Sequence, residues 1–137
     1  MELKIHLHFQ GNCQEALDFY GRVFNTSPGH IVTYGESPTD LNHPLPEGYS
    51  DKIMNTEMDI AGIKVMFSDG FPGWEAITGN HVTLAVNTKD ILEANRIFDG
   101  LQEGGTVHMS LGKTFFSEAF GMLTDKFGVL WHIGVSI

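Results

Sequence analysis

The chain has 137 residues, 42% of them apolar and 18% charged, which suits one compact domain with enough apolar side chain for a core. Its formal charge is −9, from 8 basic and 17 acidic residues, and no run approaches the roughly 20 apolar residues of a membrane span. Scattered Lys and Arg in an acidic chain exclude a nucleic-acid interface, which needs clustered positive charge, and argue against an anionic membrane surface; a small neutral or cationic ligand, or a metal chelate, fits the field better.

Met1-Glu2-Leu3-Lys4 leads straight into a strand pattern without a signal segment, and the single cysteine, Cys13, excludes an internal disulfide, so a reducing cytoplasm is expected. Leu3, Ile5, Leu7 and Phe9 alternate with Lys4, His6 and His8, which predicts a strand with two different faces. Asn12 is placed to cap a helix, with Glu15 as its capping-box carboxylate, and Ala16, Leu17, Tyr20, Val23 and Phe24 form one apolar stripe. Strand-like runs follow at 30–34, 53–60 and 63–68, the last two joined by a hairpin turn at Ala61-Gly62. Residues 36–52, with Pro38, Pro44 and Pro46, read as an irregular loop, and 69–80, with Phe71-Pro72-Gly73-Trp74, as a second one.

The pattern then starts again. Residues 81–86 alternate as a strand, Thr88 can cap the next helix, and Ile91, Ala94, Ile97, Phe98 and Leu101 make its stripe before Gly104-Gly105 ends it. Runs at 106–111, 119–124 and 129–137 complete the copy, with a turn at 125–128. Both halves read βαβββ, an internal repeat. The expected fold class is α+β, a single domain over 1–137 with module one at about 1–69, module two at about 80–137 and a linking loop at about 70–79.

Several runs carry a resemblance: Phe9-Gln10-Gly11-Asn12-Cys13 with Glu15-Ala16 and Phe19-Tyr20, Ile53-Met54-Asn55-Thr56-Glu57-Met58, Ser68-Asp69, Lys113-Thr114-Phe115-Phe116, and Thr124-Asp125-Lys126-Phe127-Gly128-Val129 with Trp131. In this order they resemble the PhnB-like branch of the glyoxalase/bleomycin resistance (vicinal oxygen chelate) superfamily, whose members often carry a methyltransferase label. The resemblance implies two βαβββ modules forming a curled mixed sheet around a cavity, the glyoxalase/bleomycin resistance/dioxygenase fold. It leaves the substrate open, because one fold hosts many functions. Methyl transfer finds no support in the residues: neither the Gly-rich turn after the first strand nor the strand–helix alternation of a doubly wound sheet is present.

The resemblance also implies that Lys4, His6 and His8 line the cavity, along with His81, Thr83 and Ala85, while Leu3 and Val82 pack toward the helices. Its metal positions fall on Lys4, Met66, His81 and His132 when Lys4 is aligned with His81 and Gly62 with Gly128. A candidate metal set is therefore His6, His81 and His132 with Glu57, suited to a divalent ion such as Zn, Ni, Mn or Fe. Strand histidines that only hydrogen-bond a neighbour are the plain alternative. Glu57 is also the candidate catalytic base, its carboxyl raised if desolvated. His8, Asn55, Trp74 and Phe116 are the candidate ligand contacts; Trp74 can clamp a planar ligand or fill a gap, and Phe115 is expected to plug one. Trp131 is expected in the core. Cys13, without a partner, reads as a buried small residue although a helix dipole would lower its pKa.

Three functions compete. A small-molecule-binding protein is preferred; a divalent-metal-dependent lyase, isomerase or dioxygenase acting on a chelating substrate is the alternative; an assembly module with a vestigial cavity comes third. Small domains of the superfamily commonly pair, so a homodimer is expected.

Overall fold

The computed structural model describes residues 1–36 and 44–136, so residues 37–43, including Pro38, and Ile137 lie outside the described residues. The fold is α+β and divides into two compact units, Met1–Ile77 and Thr78–Ile137. Unit one runs β1 (Ile5–Phe9), α1 (Cys13–Phe24), β2 (Val32–Thr33), β3 (Ile53–Ile60) and β4 (Ile63–Asp69). Unit two runs β5 (Leu84–Thr88), α2 (Ile91–Gln102), β6 (Thr106–Gly112), β7 (Ala119–Thr124) and β8 (Leu130–Val135). The sheet orders are β1-β4-β3-β2 and β5-β8-β7-β6, the same topology twice. In each sheet the first strand lies parallel to the last and the other pairs are antiparallel. Among the described residues no helix is long and apolar enough to cross a membrane.

The helix stripes bury for the most part as their spacing predicts, except that Ile91 at the start of α2 stays 42% exposed and Phe24 at the end of α1 is half-buried. Leu17, Phe19 and Tyr20 of α1 are buried, as are Met58, Val65 and Phe67 on β3 and β4; in unit two the buried set is Ala94, Ile97, Phe98 and Leu101 on α2 with Leu123, Trp131 and Ile133 on the strands. Fully burying a large apolar side chain is worth about 1.5–3 kcal/mol, which makes these sets the main support of each unit.

The caps differ from expectation. Asn12 makes no side-chain cap bond. Instead Asp69, at the end of β4, receives the backbone N–H groups of Gly11 (2.7 Å) and Cys13 (3.1 Å) on Oδ1 and that of Ile53 (2.9 Å) on Oδ2. On α2 the cap is Asp90, which accepts from the Leu92 N–H at 2.9 Å, while Thr88 accepts from the Asp90 N–H and donates to Glu93. A carboxylate outcompetes a hydroxyl as acceptor for helix-end N–H groups. In unit two Asp125 takes the Phe127 and Val129 N–H groups on Oδ1 and the Trp131 indole N–H on Oδ2, so Trp131 is core with its one polar atom satisfied.

Strand ends are shorter than the alternation predicts. β5 begins at Leu84, leaving His81 and Val82 outside it, with Val82 66% exposed; Leu3 likewise precedes β1 and is exposed. β2 keeps only Val32 and Thr33, and Tyr34–Glu36 form a 3-10 turn with Glu36 accepting the Thr33 N–H. The Ala61-Gly62 hairpin is as expected, with both residues at positive φ, 50° and 86°.

Candidate functional site

The face of the first sheet that carries Lys4, His6 and His8 is polar and connected. His6 pairs in register with Met66 and His8 with Ser68. The Ser68 hydroxyl, itself buried, lies 2.8 Å from His6 Nε2 and 3.4 Å from His8 Nδ1. A hydroxyl carries one proton, so it donates to one imidazole while accepting from the N–H of the other. The two rings stack at 4.0 Å, and burial, then the charge of His8, lowers the His6 pKa from its ordinary 6.5. Trp74 stands next to His8 with centroids 5.3 Å apart. Its main chain is fixed by a turn in which the Trp74 N–H reaches the Phe71 carbonyl and by Gln10, whose amide donates to the Trp74 carbonyl. The indole also rests on Gly70, where any Cβ would collide with it. At 44% exposed, Trp74 presents one wall rather than filling a gap.

Beside this row a cleft of ≈ 430 Å³ opens along β3, lined by Asn55, Glu57, Asp59, Lys64, His30 and Val32. Lys4 donates to Glu57 Oε1 at 2.9 Å. That bond and the charge of Lys4 hold the Glu57 carboxyl below the usual carboxylate range, and the same contact raises Lys4. The upward shift expected for a desolvated base is thus absent, because Glu57 faces solvent and a cation. Among the described residues Asn55 Oδ1 is buried without a hydrogen-bond partner, as is Thr56 Oγ1 on the opposite face of the strand; leaving such an atom unpaired costs about 1–3 kcal/mol.

Unit two presents an aromatic row instead. Phe115, Phe116, Phe120 and His132 follow one another at 5.1, 5.1 and 5.2 Å between centroids. Phe115 is 97% exposed, so it plugs nothing: it caps the open end of the row, beyond β6. The register sets Ala85 beside His132, and His81 lies in an exposed bend four residues earlier. Matching the two sheets makes Ala85 the counterpart of His6 and Thr83 that of Lys4; the alignment of Lys4 with His81 is therefore two residues off. Met66 and His132 do correspond.

Among the described residues no three His, Cys, Asp or Glu side chains gather to hold a metal ion. His6 Nε2 is engaged by Ser68 and Glu57 by Lys4, while His81 is displaced along the chain from His132. As placed, these residues do not fit a resident metal. Cys13 is fully buried, and burial, then Asp69, pushes its thiol far up, overriding the helix dipole. The sequence reading missed Ser68, His30 and Lys64. Ser68 was within reach of it, since β4 must present Lys64, Met66 and Ser68 on one face; His30 enters through a loop that has no period.

The family described as 3-demethylubiquinone-9 3-methyltransferase matches residues 1–134. Protein YjdN of Escherichia coli K12 is 33% identical over 141 residues, 98% of this chain and 95% of that protein. The crystal structure of protein PA1353 from Pseudomonas aeruginosa is 32% identical with a TM-score of 0.85, covering 99% of this chain and 98% of that one. A PhnB protein from Bacillus cereus is 26% identical with a TM-score of 0.82, covering 99% and 100%. A glyoxalase/bleomycin resistance protein/dioxygenase family enzyme from Burkholderia phytofirmans, 11% identical over 98% of this chain and 97% of its own, shares the fold at a TM-score of 0.63. The chain belongs to the family described as 3-demethylubiquinone-9 3-methyltransferase, is similar to a PhnB protein, and with its repeated βαβββ topology shares the fold of a glyoxalase/bleomycin resistance protein.

Proposed function

We propose that this chain binds a small organic molecule in the cleft along β3 of its first unit. The observation that carries this reading is the cleft itself, ≈ 430 Å³ along one sheet face and lined by the polar side chains of His30, Asn55 and Glu57 beside Val32. Glu57 acts there as a fixed carboxylate acceptor, since Lys4 keeps it ionised. His6, His8 and Trp74 form the adjoining wall, with Ser68 orienting the imidazoles. In unit two, Phe116 and His132 belong to a separate aromatic row. Methyl transfer is not carried over from the family description, because these antiparallel-rich sheets lack the doubly wound nucleotide site.

The test is a fragment screen read by amide chemical shifts. Compounds that bind should perturb Asn55, Glu57 and His8 together, and Asn55→Ala should weaken them. A screen whose hits all fall elsewhere overturns the reading.

The partners follow from charge and strand edges. A net charge of −9 disfavours nucleic acid. Each sheet ends in two edge strands, β1 and β2 or β5 and β6, and a second copy of the chain covers such edges. Light scattering should therefore give twice the 15.2 kDa chain mass, and a monomer mass refutes pairing. The buried free thiol suits a reducing cytoplasm.

A further inference from the structure

Trp74 is held in part from outside its own loop. The loop leaves β4 at Gly70 and turns at Gly73, whose φ of +84° and open surroundings suit a residue without a side chain. Inside it the Trp74 N–H reaches the Phe71 carbonyl at 2.9 Å, which fixes the turn but not its tilt toward β1. That tilt decides whether the indole stands 5.3 Å from His8 or away from it.

Two tyrosines from an earlier part of the chain act at the root of the loop. Tyr34, buried in the 3-10 turn after β2, donates to the Asp69 carbonyl at 2.7 Å. Tyr49, half-buried, donates to the next carbonyl, that of Gly70. Their rings lie 5.1 Å apart. Burial, then neighbouring charge, raises both phenols above their ordinary 10.0, so both hydroxyls keep their protons at neutral pH. Tyr49 has a firm base of its own: its N–H reaches the Pro46 carbonyl at 3.2 Å, its carbonyl accepts the Lys52 N–H at 3.1 Å, and the adjacent Ser50 carbonyl accepts the Gly35 N–H at 2.8 Å.

We infer that Tyr49 is a positioning residue for Trp74: by holding the Gly70 carbonyl it orients the peptide against which the indole packs, and so keeps the ring beside His8. The two tyrosines differ in what depends on them. Asp69 is already fixed through its carboxylate by the N–H groups of Gly11, Cys13 and Ile53, so it stays in place without Tyr34. Gly70 has its N–H on the Phe9 carbonyl at 2.7 Å, and its carbonyl side is held by Tyr49. A glycine peptide freed on that side rotates at little cost, and the indole seated on Gly70 turns with it. The use of Trp74 as a binding wall rests on the ligand reading above, but its seat is tested without a ligand, so each can fail alone.

The experiment is proton NMR on the full chain. The direction in which a Gly70 Cβ would lie runs into the indole, so ring current should separate the shift of one Gly70 α-proton from that of its twin. Tyr49→Phe removes one oxygen and leaves the ring against Tyr34. In this variant the two α-proton shifts should converge, and NOEs between the Trp74 and His8 rings should be lost. Tyr34→Phe should keep both signals although it gives up the Asp69 bond. Unchanged signals in Tyr49→Phe overturn the inference. Equal loss in both variants also overturns it, because it marks a general loosening of the loop root. Should Tyr49→Phe not fold, the unaltered protein decides: NOEs from the Tyr49 ring to Gly70 support the assignment, and their absence overturns it.

Discussion

Trp74 packs its indole against Gly70, where a Cβ would stand 2.1 Å from the ring, so the seat exists only because Gly70 has no side chain. Gly70→Ala should push the indole off this seat while leaving the residue present. The overpacking costs about 1–3 kcal/mol where the loop cannot yield. Trp131, 1% exposed, supplies a buried reference, so iodide quenching of tryptophan emission isolates Trp74. We expect the quenchable fraction to rise in the variant; unchanged quenching shows that the indole seat does not depend on Gly70.

Asp69 joins three chain segments through N–H groups of Gly11, Cys13 and Ile53, and its own carbonyl accepts the Tyr34 hydroxyl at 2.7 Å. Asp69→Asn keeps the volume but turns one oxygen into a donor, which must face a donor N–H on one side or the other. A loss of about 2–4 kcal/mol is expected in urea unfolding. A loss under about 0.5 kcal/mol, the range of an ordinary surface change, contradicts the linking role.

Ala61 sits at φ 50° in the β3–β4 turn, a conformation that costs a residue with a Cβ. Asn and Gly adopt it more readily. Ala61→Asn should raise stability by about 0.5–1 kcal/mol, seen as a higher urea midpoint at an unchanged slope. Destabilisation by Asn shows that the Ala61 methyl is needed where it is.

His6 has a folded-state pKa below its ordinary 6.5. Between those two values the unfolded chain binds more protons, so stability rises with pH through this window and is complete above it. Unfolding midpoints measured from pH 5 to 7.5 should show this rise, and His6→Gln should flatten it. An equally steep rise in the variant assigns the effect to another group. Glu57 works in the opposite range: its lowered carboxyl loses the Lys4 contact as pH falls below the ordinary 4.5 toward the folded value.

The repeat, the two helices and both hairpins are legible because apolar spacing is a strong and redundant signal over 12 residues of helix. Strand faces are legible too: Lys4, His6 and His8 do share one. Register is not. Shifting a strand by two residues keeps every side chain on its face, so alternation alone could not separate His81 from Thr83 as the counterpart of Lys4. The cap of α1 escaped for a different reason. Asn12 satisfies the local rule, yet Asp69, 56 residues from Cys13, takes the bond. No window around α1 contains that competitor. Asn55 could be named as a contact, but its missing donor becomes visible only with coordinates.

The parallel pairing of β1 with β4 has a consequence for synthesis. His6 meets Ser68 across 62 positions. As the chain leaves the ribosome, β1 and α1 emerge with nothing to lie against, and the first sheet cannot close until Asp69 has cleared the exit tunnel. Contacts so distant in sequence are slow to form. During that interval the Leu17, Phe19 and Tyr20 face of the nascent helix is open to chaperones, and synthesis paused before Asp69 would leave it open for longer.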